Sequence, residues 1–486
     1  MSSRPTPLIR GLLSGSSWVF LAEALAVPTG LITAGILSRK LGTSDYGLLT
    51  LSGTIVAWVE WSVASVLARA SIKFVSETTD WRPVGTALVR WHLILGIAAA
   101  IVVGLAAVPL ETILDEPGLT RLIQLMAVGI PIFSVAQAHR NILAGKGEFN
   151  GRAASVAGRW LVRLGLILLF VGAGLSTSGA AMAVIGATLA ELLICRYYIS
   201  PAFIGPCAPM QKLWAFAVPL FVAGLSLRVF EKLDLLALKA FGGTSEQAGW
   251  YGAAQNLAML PSLISLSFGP VFLSMLGREL SQGNVEGARG LARDTLRAAV
   301  LTMPLPAIIA GSAAEITRLI FGPAFAPAAT TLSLLIFSSS AMMLMTVTSC
   351  VLTAVGRADL VLKLTLPLVP LAMLGHYLAV PTLGPTGAAI VTTVGASLAV
   401  LAQFVVVQLY WGILPSPATF MRAVIVAALA GTLTVLLPAP GALLLLKLPA
   451  AFFFALLALV LFGEFSAGER AAARSLFPIG RIPFRH

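Results

Sequence analysis

Charge is what this chain has least of. Only 11% of its 486 residues are Asp, Glu, Lys or Arg, against 58% that are hydrophobic, whereas a soluble domain carries about a quarter charged residues. The mean hydropathy is +0.94. These values exclude a soluble enzyme. No soluble domain hides within the chain either, because no stretch longer than the roughly twenty residues of a transmembrane helix escapes the apolar pattern. The three cysteines, Cys195, Cys207 and Cys350, sit in or beside apolar segments without a CxxC pair, so neither a disulfide framework nor a zinc site is indicated. The four histidines, His92, His139, His376 and His486, show no metal-ligand spacing. The string GKG at 145–147 lacks the Ser or Thr that a phosphate loop places after its Lys. No ATP-hydrolysing motif is present, and neither a metal nor another cofactor is expected.

What is there is a succession of fourteen apolar segments, near 12–38, 47–69, 86–109, 121–143, 156–175, 179–199, 213–240, 250–276, 296–320, 328–354, 360–380, 386–411, 420–437 and 441–463. The first is too long for a signal-peptide core and has no clear cleavage site, so it is read as a retained span. An even count puts both termini on one side. Lys and Arg accumulate in cytoplasmic loops, and here 24 fall on the side of the termini against 6 on the other, with Arg228 and Lys232 inside the seventh span. The expectation is a multi-pass protein of a bacterial or archaeal cytoplasmic membrane with both termini cytoplasmic. The net charge of +12 then reflects orientation, and no nucleic-acid partner is expected. Arg289, Arg293 and Arg297 recur every four residues, a stripe suited to anionic headgroups on an interfacial helix leading into span nine.

The chain also writes one small polar corner twice, LGTSDYG at 41–47 and GGTSEQAG at 242–249. Aligning Gly42 with Gly243 brings Gly47 onto Gly249 after one inserted residue. Two further pairs follow in the same order: LAGKGEF with LTAVGRADL, and GAAMAVIGATLA at 179–190 with GAAIVTTVGASLA at 387–399, at offsets of about 200 to 209. Three ordered pairs argue for two homologous six-span lobes, and an offset of six spans means that both enter the membrane in the same direction. The fold expected is an all-α polytopic membrane protein of about fourteen helices. Its lobes span 1–205 and 206–412, with two extra helices and a tail at 413–486. A cavity between two such lobes would support alternating access by rocking.

At this point LSRKLGTSDYGLLTL, EKLDLLALKAFGGTSEQAGWYGAAQNL, VGRAD and GAAIVTTVG resemble the polysaccharide-biosynthesis flippases of the multidrug, oligosaccharidyl-lipid and polysaccharide exporter superfamily, over essentially the whole chain. The resemblance implies two six-helix bundles plus two C-terminal helices. It also implies a polyprenyl-pyrophosphate-linked oligosaccharide as substrate, moved between leaflets for O-antigen, capsule or exopolysaccharide synthesis. Membrane lipids and other polysaccharide-assembly proteins would be its partners. Where the family often has a small residue and an Arg after the acid of span seven, Asp234 is followed by Leu235 and Leu236.

The sharpest local signal is LSLRVFEKLD at 225–234. At 100° per residue, Arg228, Glu231, Lys232 and Asp234 fall within an arc of roughly 160° on one face. Each charge costs about 2.5–3.5 kcal/mol in lipid, so that face should meet a wet cavity. One reading makes the cluster a structural ion-pair set. The other gives the substrate pyrophosphate to Arg228 and Lys232, with Glu231 and Asp234 as charge partners or holders of a coupling ion. Glu60, between Trp58 and Trp61 in span two, is read as a protonatable coupling group or as the partner of a cation from the second lobe. Glu23 in span one is a weaker candidate of the same kind. Arg69, Lys73 and Arg90 form either a basic cytoplasmic entrance or ordinary loop charges.

Four alternatives remain at this stage. A peptidoglycan-precursor flippase would look similar, and a small-molecule multidrug exporter is disfavoured by the fourteen spans. A membrane glycosyltransferase or polymerase should carry acids or histidines on extended outer loops, yet GAGLSTSG at 172–179 and LGPTG at 383–387 carry none. A structural scaffold gives no reason for midplane charges.

Overall fold

The computed structural model describes residues 18–208, 211, 214 and 233–465, apart from the side chains of a few helical positions such as Arg69. Arg228, Glu231 and Lys232 lie outside the described residues. An apolar chain in lipid must satisfy its backbone polar groups within each segment, which favours helices. Among the described residues there is no strand.

Nine helices among those residues are long and apolar enough to cross a membrane. Two of them hold two spans each, because they turn at a glycine with non-helical angles: α1 (Ala26–Glu77) at Gly42 and α14 (Leu368–Trp411) at Gly384. The bent pair Val285–Gly311 and Ala313–Phe321, at 63°, forms one more. With residues 245–281 and the seventh segment, described only from residue 233, the total is fourteen.

Between those two bent helices the order is α2 (Arg82–Leu114), α3 (Leu119–Ala127), α4 (Gly129–Lys146), α5 (Phe149–Gly172), α6 (Ser176–Tyr198), α7 (Ser245–Ala258), α8 (Leu260–Ser281), α9 (Val285–Leu301), α10 (Pro304–Gly311), α11 (Ala313–Phe321), α12 (Ala328–Ala354) and α13 (Ala358–Thr365). After α14 come α15 (Pro417–Leu436) and α16 (Leu444–Leu461). The repeat is visible in the backbone. Gly42 and Gly242 have φ of 78° and 100°, Gly118 and Gly322 88° and 96°, and Gly147 and Gly356 77° and 79°. Left-handed backbone favours glycine, so Gly42 matches Gly242, one residue before the Gly243 of the sequence alignment.

Contacts divide the chain into two compact units. The first comprises Met1–Leu260, Thr317–Thr331 and Leu362–Gly395. Here the two corners pack on each other. A Cβ on Gly47 would lie 1.9 Å from the Ser245 carbonyl oxygen, and one on Gly249 would lie 2.2 Å from that of Thr43. Residues 43 and 47 therefore meet 249 and 245 reciprocally, as a twofold relation requires. Thr43 Oγ1 donates to Glu246 Oε1 at 3.0 Å, and Asn256 Nδ2 donates to Tyr46 Oη at 3.0 Å. The glycines of the repeated corner thus let two backbones cross in contact.

The second unit comprises Pro261–Ile316, Leu332–Val361 and Ala396–His486. α10 crosses α15 backbone to backbone, since a Cβ on Gly311 would lie 2.7 Å from the Gly431 carbonyl oxygen. Small residues at such crossings are how membrane helices approach closely. Two clasps hold this arrangement. At one end Glu464 accepts from Arg297 Nε and Arg422 Nη1, both at 2.9 Å, and from Thr419 Oγ1 at 2.9 Å. At the other, Lys447 Nζ lies 2.7 Å from Glu315 Oε1, which also accepts from the Ala439 amide at 2.8 Å.

The arginine stripe of α9 serves the protein. Arg289 pairs with Glu286 at 3.2 Å, Arg293 donates to the Gly412 carbonyl at 3.5 Å, and Arg297 binds Glu464. The helix runs on into the bent span, with Ala288, Ala292 and Leu296 buried in the core. The apolar face of the expected interfacial helix thus covers a protein core.

Candidate functional site

The charges that the first unit gathers inside the membrane are on α4, α5 and α6. α5 starts at Phe149, before the predicted boundary at 156, so Arg159 and Arg163 sit about 15 and 21 Å along it at 1.5 Å per residue. They are not loop charges. Removing these two from the count on the terminal side leaves 22 against 6, so the bias stands.

Glu191 of α6 is wholly buried, and its two oxygens take Arg140 Nη1 at 3.0 Å and Arg159 Nη1 at 3.4 Å. The Arg159 guanidinium also lies over the ring of Phe133 at 5.1 Å, and that of Arg163 over Trp160 at 5.7 Å. Such contacts partly replace water around a cation. Glu60, 9% exposed, interacts electrostatically with Arg159, Arg163 and Glu191. Nearer the start of α5, Arg152 interacts with Glu23 and Arg140. Among the described residues four arginines thus face three glutamates. Arg163 carries a buried Nε without a hydrogen-bond partner among the described residues.

The arrangement suits holding an anion. Among the described residues it contains a surplus cation and an unsatisfied guanidinium donor, and a guanidinium fork matches phosphate oxygens. The fold does not demand these charges. At the repeat offsets of 209, 208 and 202, Arg159, Arg163, Glu191 and Glu60 correspond to Leu368, Ala372, Ala399 and Ser262.

The sequence candidates fall as follows. Asp234 is 4% exposed and accepts from Tyr251 Oη at 2.7 Å, Gln255 Nε2 at 2.9 Å and the Leu235 amide at 2.8 Å. Among the described residues, the cations that Glu60 meets are Arg159 and Arg163 of its own repeat. Glu23 is exposed near Arg152. Lys73 lies over the ring of Phe74 at 5.9 Å. Arg90 is engaged by the 203–207 loop, donating to the Phe203 carbonyl at 2.6 Å and to Cys207 Sγ at 3.0 Å. Trp61 packs edge-on against Phe133 at 5.7 Å between ring centroids. Arg140, Arg159, Arg163 and Glu191 were missed, although a lone Glu in an apolar span and arginines at helical spacing were available signals.

Residues 12–275 match the model of the family described as polysaccharide biosynthesis protein. A curated relative, the lipopolysaccharide biosynthesis protein WzxC of Escherichia coli (strain K12), is 27% identical over 144 residues, which are 28% of this chain and 27% of that protein. The match therefore spans about a quarter of the relative's length. Among solved structures, lipid II flippase MurJ in an inward closed conformation superposes with a TM-score of 0.75 at 12% identity, covering 96% of this chain and 99% of that one. A superfamily transporter from Pyrococcus furiosus gives 0.59 at 16% identity, covering 83% and 95%. At these identities the structural likeness speaks for the fold.

Proposed function

The chain belongs to the polysaccharide biosynthesis family of flippases, and from that premise we propose that it moves a polyprenyl-pyrophosphate-linked oligosaccharide across the cytoplasmic membrane. The observation that carries this is the surplus positive charge around Arg159 and Arg163 among the described residues, at positions where the second repeat has Leu368 and Ala372. A pyrophosphate headgroup in hydrocarbon faces a cost of several kcal/mol for each unpaired polar group. A wet cationic surface removes most of that cost while the polyprenyl tail stays in lipid. No covalent step is needed.

In this reading both termini are cytoplasmic, the crossed corners face outward, and the lobes 1–205 and 206–412 rock about a cavity with residues 413–486 appended. Arg228 and Lys232 remain candidates for a second set of phosphate ligands, with Glu231 and Asp234 as charge partners. Polysaccharide-assembly proteins would receive the product.

The test is exposure of a fluorescent polyprenyl-pyrophosphate oligosaccharide to the opposite leaflet in liposomes. Hydrogen bonds to charged groups contribute about 1.5–3 kcal/mol each, so Arg159→Gln/Arg163→Gln should slow exposure by about tenfold or more at matched folding. Arg228→Ala/Lys232→Ala should do the same. Wild-type protein that leaves the rate at the liposome background under any imposed ion gradient sinks the reading.

A further inference from the structure

A second internal anion is held where the corners cross. Lys239 Nζ lies 2.6 Å from Glu116 Oε2, with the two side chains 6% and 5% exposed. Ser245 Oγ donates to the same carboxylate, 2.7 and 2.6 Å from its two oxygens. Lys239 also reaches the Asp115 carbonyl at 3.4 Å.

The repeat separates what the fold requires here from what it does not. Lys239 stands three residues before the left-handed Gly242, and Arg39 three before the left-handed Gly42. Each cation donates to the carbonyl three residues before the next left-handed glycine of the opposite repeat, Lys239 to Asp115 and Arg39 to Leu319. Cation and carbonyl therefore obey the twofold relation. The carboxylate does not: Glu116, two residues before Gly118, corresponds to the apolar Ile320, two before Gly322. One arm of the crossing thus closes on a neutral chain and the other on an added buried anion.

A buried lysine left bare is strongly unfavourable. Whatever separates Glu116 from Lys239 when the outer face opens must be accompanied by another anion. We propose that Lys239 and Ser245 form an exit-side phosphate site, that Glu116 fills it while the outer face is closed, and that the departing pyrophosphate takes its place as the face opens. The identity of the ligand rests on the flippase reading. The exchange keeps Lys239 neutralised throughout and makes opening depend on cargo. An empty carrier stays latched.

The experiment uses full-length protein with Cys195, Cys207 and Cys350 replaced by Ser and a reporter Thr50→Cys. Thr50 packs at the crossing, where a Cβ on Gly252 would meet its Cγ2 at 2.3 Å. Labelling by a membrane-impermeant maleimide reads opening, and inorganic pyrophosphate is the probe. In the reporter protein, pyrophosphate should accelerate labelling at least about fivefold, and Lys239→Met should abolish that acceleration. Glu116→Gln should label at least about tenfold faster without probe and bind pyrophosphate at least about tenfold more tightly by calorimetry. Adding Lys239→Met to it should remove the gained affinity.

Fast labelling without gained affinity would make Glu116 a plain latch and overturn the site. If Glu116→Gln does not fold, the acceleration in the reporter protein decides alone, and its absence overturns the proposal. Nanodiscs with and without phosphatidylglycerol separate a bilayer phosphate from the cargo: acceleration by the anionic lipid but not by pyrophosphate assigns the site to bulk lipid. None of these readouts involves lipid transport, so their failure leaves the flippase reading standing, and a failed transport assay leaves them interpretable.

Discussion

Glu191 is a single buried side chain on which two partly buried guanidiniums depend. Replacing it by Gln leaves Arg140 and Arg159 facing each other, and breaking a buried pair costs about 3–5 kcal/mol. Glu191→Gln should therefore lower the thermal stability of the detergent-solubilised protein markedly, and Glu191→Gln/Arg140→Gln should recover part of the loss. An unchanged midpoint would mean that water already compensates these charges. Residues of this kind were only partly legible. Glu60 and Asp234 announce themselves as charges inside apolar runs, but what each touches depends on helix rotation and neighbours that a one-dimensional pattern does not contain. Arg159 and Arg163 were counted with the cytoplasmic side because a span beginning near 156 leaves them within two turns of its end; α5 begins at Phe149, and a shift of two turns moves a charge from interface to interior.

At the scale of elements, the C-terminal pair α15 and α16 is fastened to the bent span at both ends by carboxylates, Glu464 and Glu315. Burial acts most strongly on the Glu464 carboxyl and would raise its pKa. Hydrogen bonds from Arg297, Arg422 and Thr419 outweigh it and hold the pKa below the ordinary glutamate value. A lowered folded-state pKa means that the clasp contributes fully above the unfolded value of about 4.3 and is lost as pH falls through the folded one. Glu464→Gln should therefore unfold at lower temperature than wild type at neutral pH, and the gap should close on acidification below about pH 4. A gap that persists there would assign the loss to packing. The elements themselves were legible, because lipid admits only helices and closed barrels, and apolar runs of about twenty residues have the length of a helix. The partners of the α9 stripe were not legible, since the same spacing serves headgroups or protein partners equally well.

For the whole molecule, the repeat was the most informative thing the sequence offered, since three matched strings placed six spans against six before any coordinate was known. It did not say that the two corners meet. Gly47 and Gly249 could have been turn residues only, and their role as the point of contact needed the reciprocal distances. If the corners must part for transport, a short bismaleimide joining cysteines at Thr43 and Glu246, whose side chains meet at 3.0 Å, should arrest lipid exposure, while either cysteine alone should not. Full activity in the joined protein would mean that substrate passes without separating them.

The crossing at Gly47 and Gly249 also has a mechanical side. Two rods that touch at bare backbone where Gly47 and Gly249 meet can swivel at that point as scissors do at their rivet. The far end of the second α1 arm lies a full membrane thickness away, about 30 Å. A swivel of about 10° over that lever sweeps the far end by about 5 Å, roughly the width of a sugar ring. If the corners swivel in transport, a small rearrangement there would be geared up into a larger one at the opposite end, and a bulky residue at either glycine should jam the pivot.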